Sequence, residues 1–105
     1  MAYEDSLAAL ADSTRREVFE LLSQQPRPVG ALAERLPVSR PAVSQHLKVL
    51  TDAGLVQCHV DGTRRIYAVR VEGLAELRAY LDRHWTAVMD SFAEEINSKK
   101  RKPDV

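Results

Sequence analysis

Apolar residues recur at helical spacing in five segments of this chain and alternate with polar residues in a sixth. Apolar positions three or four residues apart predict helices, and strict alternation predicts a strand. The chain is therefore predicted to be mainly α with a small β-hairpin. The predicted helices span residues 5–11, Asp12 or Thr14 to Gln24, 29–36, 40–53 and 72–97, and the predicted strands span 55–60 and 63–71.

The fourth helix has the clearest pattern. Ser39 is well placed as its N-cap, and Pro41 falls in the first turn, where a missing N–H costs nothing. Gly54 is a typical residue just beyond a helix C-terminus. The inward stripe at i, i+4 and i+7 consists of Val43, Leu47 and Leu50.

The opposite face of this helix carries side chains suited to duplex DNA. A reading helix lies in the major groove with its N-terminal half against the base edges. Gln45 can bond adenine bidentately and Arg40 can bond guanine, whereas Lys48, further along, is expected to meet phosphate. Taken singly, each is also typical of a solvated helix face. The candidate DNA-contacting residues of this segment are Ser39, Arg40, Pro41, Ser44, Gln45, His46 and Lys48, with His46 on the flank.

A basic hairpin follows this helix. Asp61 and Gly62 form a strong turn signal, and the adjacent Thr63, Arg64 and Arg65 are predicted to contact the DNA backbone or an adjacent groove. A two-residue turn would not align the two apolar faces cleanly. A longer loop or a bulge is therefore expected, and the register stays open.

Charge is distributed unevenly along the chain. The net charge of 105 residues is zero, which argues against a nonspecific polycation. Residues 38–70 nevertheless hold five basic and two acidic side chains, whereas residues 1–37 and 71–98 are both net acidic. The positive stretch coincides with the candidate reading helix and hairpin, so a neutral protein can present a basic face to phosphate.

The order of these motifs resembles the ArsR family of winged helix-turn-helix repressors. The resemblance covers residues 5–97 and is carried by Ala11–Arg16, Ser39–Leu50, Asp52–Val56 and Gly62–Arg65. It implies four helices, a hairpin wing and a fifth helix. It also implies a homodimer formed by the first and last helices, with the fourth helix reading operator DNA. In this family, effector binding usually weakens operator binding and so relieves repression.

The long last helix has an apolar seam wide enough for a partner helix as well as the domain core. Residues 1–98 are predicted to form one DNA-binding and dimerisation domain, and residues 99–105 a charged, disordered tail. The predicted dimer residues are Leu7, Leu10, Leu77, Leu81, Trp85, Val88 and Phe92.

The signal that such a repressor would sense is less evident. Many family members bind metal through a cysteine pair on the third helix, but residues 29–36 contain neither cysteine nor histidine. Asp82 and His84 match half of a second family metal site, and Cys58 is a lone thiol on an apolar strand face, where a small core residue is expected. We predict no metal and no cofactor. A metal- or redox-responsive repressor using these residues stays an alternative, as does an unidentified small-molecule effector in a pocket near Trp85 and Phe92.

Other classes of function are less consistent with the sequence. His46, His59 and His84 lie on three different elements, and no catalytic constellation appears, so an enzyme is not expected. A winged helix used for protein interaction would expose apolar or acidic residues on its reading face, which Arg40 and Lys48 disfavour. No apolar run approaches 18 residues and the N-terminus is acidic, so a cytoplasmic protein without a membrane partner is expected. The predicted partners are double-stranded operator DNA and a second copy of the chain.

Overall fold

The computed structural model describes the backbone of residues 2–101, and this part of the chain forms five helices and a three-stranded antiparallel sheet. Residues 102–105, most of the predicted tail, lie outside the described residues. The helices are α1 (Ala2–Ala11), α2 (Ser13–Gln24), α3 (Val29–Ala33), α4 (Arg40–Asp52) and α5 (Val71–Arg101), and the strands are β1 (Arg27–Pro28), β2 (Val56–Asp61) and β3 (Arg64–Val69).

The junction of α1 and α2 is held by side chains that cap both helix ends. Asp12 is the N-cap of α2, and its carboxylate accepts the Arg15 backbone N–H at 2.9 Å. Arg15 Nε donates to Ala9 O at 2.7 Å, and Arg16 Nη1 donates to Leu10 O at 3.3 Å. The sequence left Asp12 and Thr14 open as caps, and the geometry selects Asp12. The predicted start of α1 at Asp5 is wrong, because that helix already runs from Ala2.

The segment between α2 and α3 forms a short strand that the sequence did not predict. In β1, Arg27 pairs with Tyr67 and Pro28 with Ile66; proline is tolerated because β1 is an edge strand of the sheet. The buried guanidinium of Arg27 donates from Nε to Leu21 O at 3.2 Å, which caps the end of α2. The third helix ends at Ala33 and not at Leu36, so it is a little over one turn long.

The fourth helix forms as predicted and supplies the centre of the core. Ser39 Oγ accepts the Ala42 N–H at 3.3 Å, and Gly54 takes a φ of +80° after the helix end. Full burial of the inward stripe anchors α4 against α2, α3 and the start of β2. The core comprises Val18, Leu22, Leu32, Val43, Leu47, Leu50, Leu55 and Val56, among others.

The wing is a regular hairpin joined by only two residues. Asp61 pairs with Arg64 and Val56 with Val69, so the expected longer loop or bulge is wrong. Gly62 makes the tight turn possible, because its φ of +65° at the first turn position is readily available only to glycine.

The apolar face predicted for the first wing strand is not covered. Only Val56 of β2 is buried, and both Cys58 and Val60 are exposed. The expectation that Cys58 is a small core residue is therefore wrong. Beyond Val56, strand β2 extends past the helices, so the apolar side chains of its alternating pattern stay exposed.

Helix α5 starts against the domain and then projects from it. Gly73 lies against the Gly54 carbonyl, where a Cβ atom would clash, and Leu77 is buried. Beyond these contacts the helix continues to Arg101, past the predicted end near residue 97, so residues 99–101 of the predicted tail are helical. The molecule measures 75 Å along its longest axis but only 26 and 22 Å across. None of the described helices is long and apolar enough to cross a membrane.

Candidate nucleic-acid interface

The outward face of α4 is open along its whole length. Ser44, Gln45 and Lys48 are exposed, and Arg40 and Pro41 are exposed at the start of the helix. Ser39 is also exposed, but its Oγ is engaged in capping. Because Val43, Leu47 and Leu50 fix the rotation of the helix, the amide of Gln45 points away from the core. The structure thus presents a free polar face of the kind that reads base edges.

Lys48 has a partner on its own helix. Its Nζ lies 3.0 Å from Asp52 Oδ2, one turn further along, and both side chains are largely exposed. Such i, i+4 pairs are weak because water screens them. Lys48 therefore remains able to turn towards a phosphate, but the carboxylate beside it competes for its charge.

His46 lies on the flank of α4 that faces α2, and it is half buried. The neighbouring acidic group is Asp12, whose pKa lies below its ordinary value of 3.8. The hydrogen bond from the Arg15 backbone N–H lowers this pKa and outweighs desolvation, which raises it. The charges of Arg15 and His46 lower that pKa further. His46 is thus placed near the α1–α2 junction, away from the outward face of Ser44 and Gln45.

The wing brings a second basic segment close to the start of α4. Thr63, Arg64 and Arg65 are all exposed at the tip of the hairpin. Together with Pro28, Val29 and Arg40 they line a groove of about 300 Å³. Residues predicted from two separate motifs therefore share one surface.

The predicted dimer residues divide into two groups. Leu81, Trp85, Val88 and Phe92 are exposed on the projecting part of α5, with Trp85 exposed to 66%, and Leu7 is exposed on α1. Leu77 is instead buried within the chain, and Leu10 is half buried against its core. Leu10 and Leu77 pack within the chain because α1 and the start of α5 contact each other, and their place in a dimer interface stays a prediction.

The candidate signal residues are not gathered into a site. Asp82 lies 3.8 Å from Arg78 in an exposed ion pair, and the His84 ring packs edge-on against Tyr80 with centroids 4.7 Å apart. Within residues 2–101, no group of three or more His, Cys, Asp or Glu side chains is arranged to hold a metal.

Cys58 lies on the wing opposite Tyr67. Burial raises the pKa of the Tyr67 hydroxyl, and the neighbouring Cys58 raises it further. The side chain of Arg65 acts in the opposite direction and lowers the pKa of Tyr67. Neither Cys58 nor Tyr67 is among the residues that line the groove.

Comparison with known proteins decides the family. Residues 10–59 match the model of a helix-turn-helix domain. The HTH-type transcriptional regulator Rv2034 of Mycobacterium tuberculosis is 55% identical over 91 residues, which cover 87% of this chain and 85% of that protein. The chain belongs to the ArsR family of winged helix-turn-helix transcriptional regulators.

Two further relatives of this ArsR-family regulator are informative. The arsenical resistance operon repressor of Staphylococcus xylosus is 33% identical and covers 72% of this chain and 73% of its own length. The solution NMR structure of a homodimeric winged helix-turn-helix DNA-binding domain from Mycobacterium bovis, a possible ArsR-family regulator, has a TM-score of 0.66 and 30% identity. It covers 85% of this chain and 79% of that chain.

The fold of this ArsR-family regulator also contains site residues that sequence reasoning missed. The i, i+4 spacing of Lys48 and Asp52 was a readable signal for their ion pair. Pro28 and Val29 line the groove at the wing only because β1 pairs with β3, and no local pattern indicates that pairing. The protein is a DNA-binding transcriptional regulator.

Proposed function

We propose that this ArsR-family regulator is a homodimeric repressor that binds a double-stranded operator through α4 and the wing. The observation that carries the proposal is the orientation of α4. Its apolar stripe is fully buried while Ser44, Gln45 and Lys48 face outward beside a basic hairpin. Base edges would be read by Ser44 and Gln45, and phosphates bound by Lys48, Arg64 and Arg65.

The projecting part of α5 supports the dimer. Leu81, Trp85, Val88 and Phe92 form an apolar stripe that no described residue of the same chain covers. Exposed apolar stripes of this length are typical of protein interfaces. A second copy of α5 fits this stripe, and the homodimeric M. bovis domain provides the precedent. Leu7 on α1 would extend the same interface.

A two-fold dimer would present two copies of α4 to one face of DNA. The expected operator is pseudo-palindromic, with half-sites roughly one helical turn, ~34 Å, apart. We infer repression because the S. xylosus relative is named a repressor, and a protein bound to an operator can block transcription. The proposal includes a cytoplasmic location and no enzymatic activity, and an unidentified small-molecule effector would be the signal.

Selection of genomic fragments by the purified protein tests this function. We expect recovery of a small set of fragments that share a pseudo-palindrome, and a mobility shift on them that weakens as salt increases. A reporter under the recovered promoter should be less active when the protein is present. The addition of zinc or reductant in parallel selections would reveal a response through Asp82, His84 or Cys58.

Two results would contradict the proposal. Recovery of no preferred fragment would argue against an operator-binding protein and favour a protein-interaction module with the same fold. Stronger reporter activity in the presence of the protein would be consistent with DNA binding but would indicate an activator and not a repressor.

A further inference from the structure

Arg40 does not share the outward direction of Ser44 and Gln45. It is the first residue of α4, and its guanidinium lies near Gly30 of α3. A Cβ atom built on Gly30 would be 3.8 Å from Arg40 Nη1 and 4.0 Å from Arg40 Cζ. The charged end of Arg40 therefore points towards α3, at the side of α4 that faces the wing.

The sheet brings the wing to this side of α4. Pro28 pairs with Ile66, so Val29, at the start of α3, lies near Arg64 and Arg65. The resulting groove, lined by Arg40, Thr63 and these two arginines with Pro28 and Val29, has a volume of about 300 Å³. Side chains from α4 and from the wing therefore line one groove.

The groove has an unbalanced positive charge. Its lining contains three arginines and no carboxylate. In the described part of the chain, the ion pairs involve other residues, namely Lys48, Arg70, Arg78 and Lys99 with their acidic partners. Asp61 is the cross-strand neighbour of Arg64 but makes no such pair with it. Arg65 follows Arg64 on β3, so its side chain leaves the opposite face of the strand, where it interacts with the Tyr67 hydroxyl. Arg40 and Arg64 therefore supply the guanidinium groups of the groove, and the planar forks of such groups match phosphate oxygens.

We propose that Arg40 and Arg64 bind one backbone phosphate of the operator between α4 and the wing. Arg40 then sets the register of α4 on the duplex and does not read guanine. This inference rests on the proposed function and assigns a different role to one residue of the same surface. Base discrimination would fall to Ser44 and Gln45.

Fluorescence-anisotropy titrations over a range of salt concentrations test the assignment. The proteins are the parent, Arg40→Ala, Arg64→Ala and the double variant, with Arg78→Ala on α5 as a matched control. Each is titrated with the selected operator, with every single-base-pair variant of it and with a scrambled duplex. The three arginines of the interface and the control are exposed, so all variants should fold, which thermal melting verifies.

We expect Arg40→Ala to weaken binding to every duplex by the same factor, roughly ten- to a hundredfold at low salt, without a change in base preference. Each phosphate contact contributes about 0.9 to the slope of log affinity against log salt. If Arg40 and Arg64 share one phosphate, the double variant should flatten this slope by about 0.9 per subunit. The control should leave the slope and the affinity unchanged.

Three results would overturn the inference. Relaxed preference at a single base pair in Arg40→Ala would make this residue a base reader. Flattening by about 1.8 per subunit in the double variant would indicate two separate phosphates. An unchanged slope in the double variant would show that neither arginine touches phosphate. If the parent protein bound no duplex at all, the proposed function itself would fail, which is a different outcome from these three.

Discussion

Lys48 Nζ and Asp52 Oδ2 lie 3.0 Å apart on the outward side of α4. The pair places a carboxylate close to the path expected for the DNA backbone. The same carboxylate competes with phosphate for the charge of Lys48. Asp52 is therefore expected to moderate DNA affinity without contributing to base recognition.

Replacement of this carboxylate should strengthen DNA binding. Asp52→Asn is expected to bind operator and scrambled duplex a few-fold more tightly, since interactions between exposed charges are worth about 0.2–1 kcal/mol. Anisotropy titration at low salt measures the change. Glu95→Gln, which breaks the exposed pair with Lys99 on α5, is the matched control. Equal or weaker binding by Asp52→Asn would place the DNA backbone elsewhere.

The apolar stripe of α5 should hold the dimer together. Val88→Glu puts a charge in the stripe, and we expect a monomer in analytical ultracentrifugation, with much weaker operator binding. Ala87→Glu is the control, because successive residues of an α-helix are about 100° apart, which places residue 87 outside the stripe. Val88 is exposed within its own chain, so the domain should stay folded. A Val88→Glu protein that remained dimeric would move the interface to another surface.

Gly73 should be sensitive to the smallest added side chain. A Cβ atom there would overlap the Gly54 carbonyl oxygen, so Gly73→Ala must displace α5 from the end of α4. Overpacking of this kind costs about 1–3 kcal/mol, which denaturant unfolding would resolve. At Gly30 a Cβ atom meets only Arg40 at ordinary contact distance, and Gly30→Ala should be close to neutral. Equal stability of both variants would contradict the close approach of Gly54 and Gly73.

The N-cap of α2 should make stability dependent on acid pH. The backbone N–H of Arg15 lowers the pKa of Asp12 in the folded state. The contribution of the charged Asp12 cap to the free energy of unfolding is therefore fully present above the unfolded pKa of 3.8. It is lost as the pH falls from 3.8 through the lower folded value. Asp12→Asn retains a capping oxygen that does not titrate. The melting temperature of Asp12→Asn should therefore fall less than that of the parent between neutral pH and the acid range. Equal decreases in the two melting temperatures would contradict the role of Asp12 as a charged cap.

The features that sequence reasoning placed correctly depend on local chemistry. Ser39 as a cap, Gly54 after the helix and the inward stripe of α4 follow from neighbouring residues alone. The strand β1 could not be found in this way, because Arg27 and Tyr67 meet only when distant segments fold together. Alternation along β2 indicated an apolar face but not whether anything covers it, so the exposure of Cys58 was missed.

The same distinction applies to the candidate site. The residue types on α4 and at the hairpin were readable, and their exposure agrees with a DNA surface. The direction of Arg40 was not readable, because it depends on contact with α3. The burial of Leu77 and the exposure of Leu81 likewise depend on where α5 leaves the domain. The spacing of apolar residues does not determine that point.

The base preference of Gln45→Ala tests the central claim most directly. Parent and variant are compared on the selected operator and on every single-base-pair substitution of it. If α4 reads the operator, the variant loses roughly 1–3 kcal/mol on the preferred sequence and accepts any base pair at one position in each half-site. Retention of the full parental preference by Gln45→Ala would contradict the assignment of α4 as the reading helix.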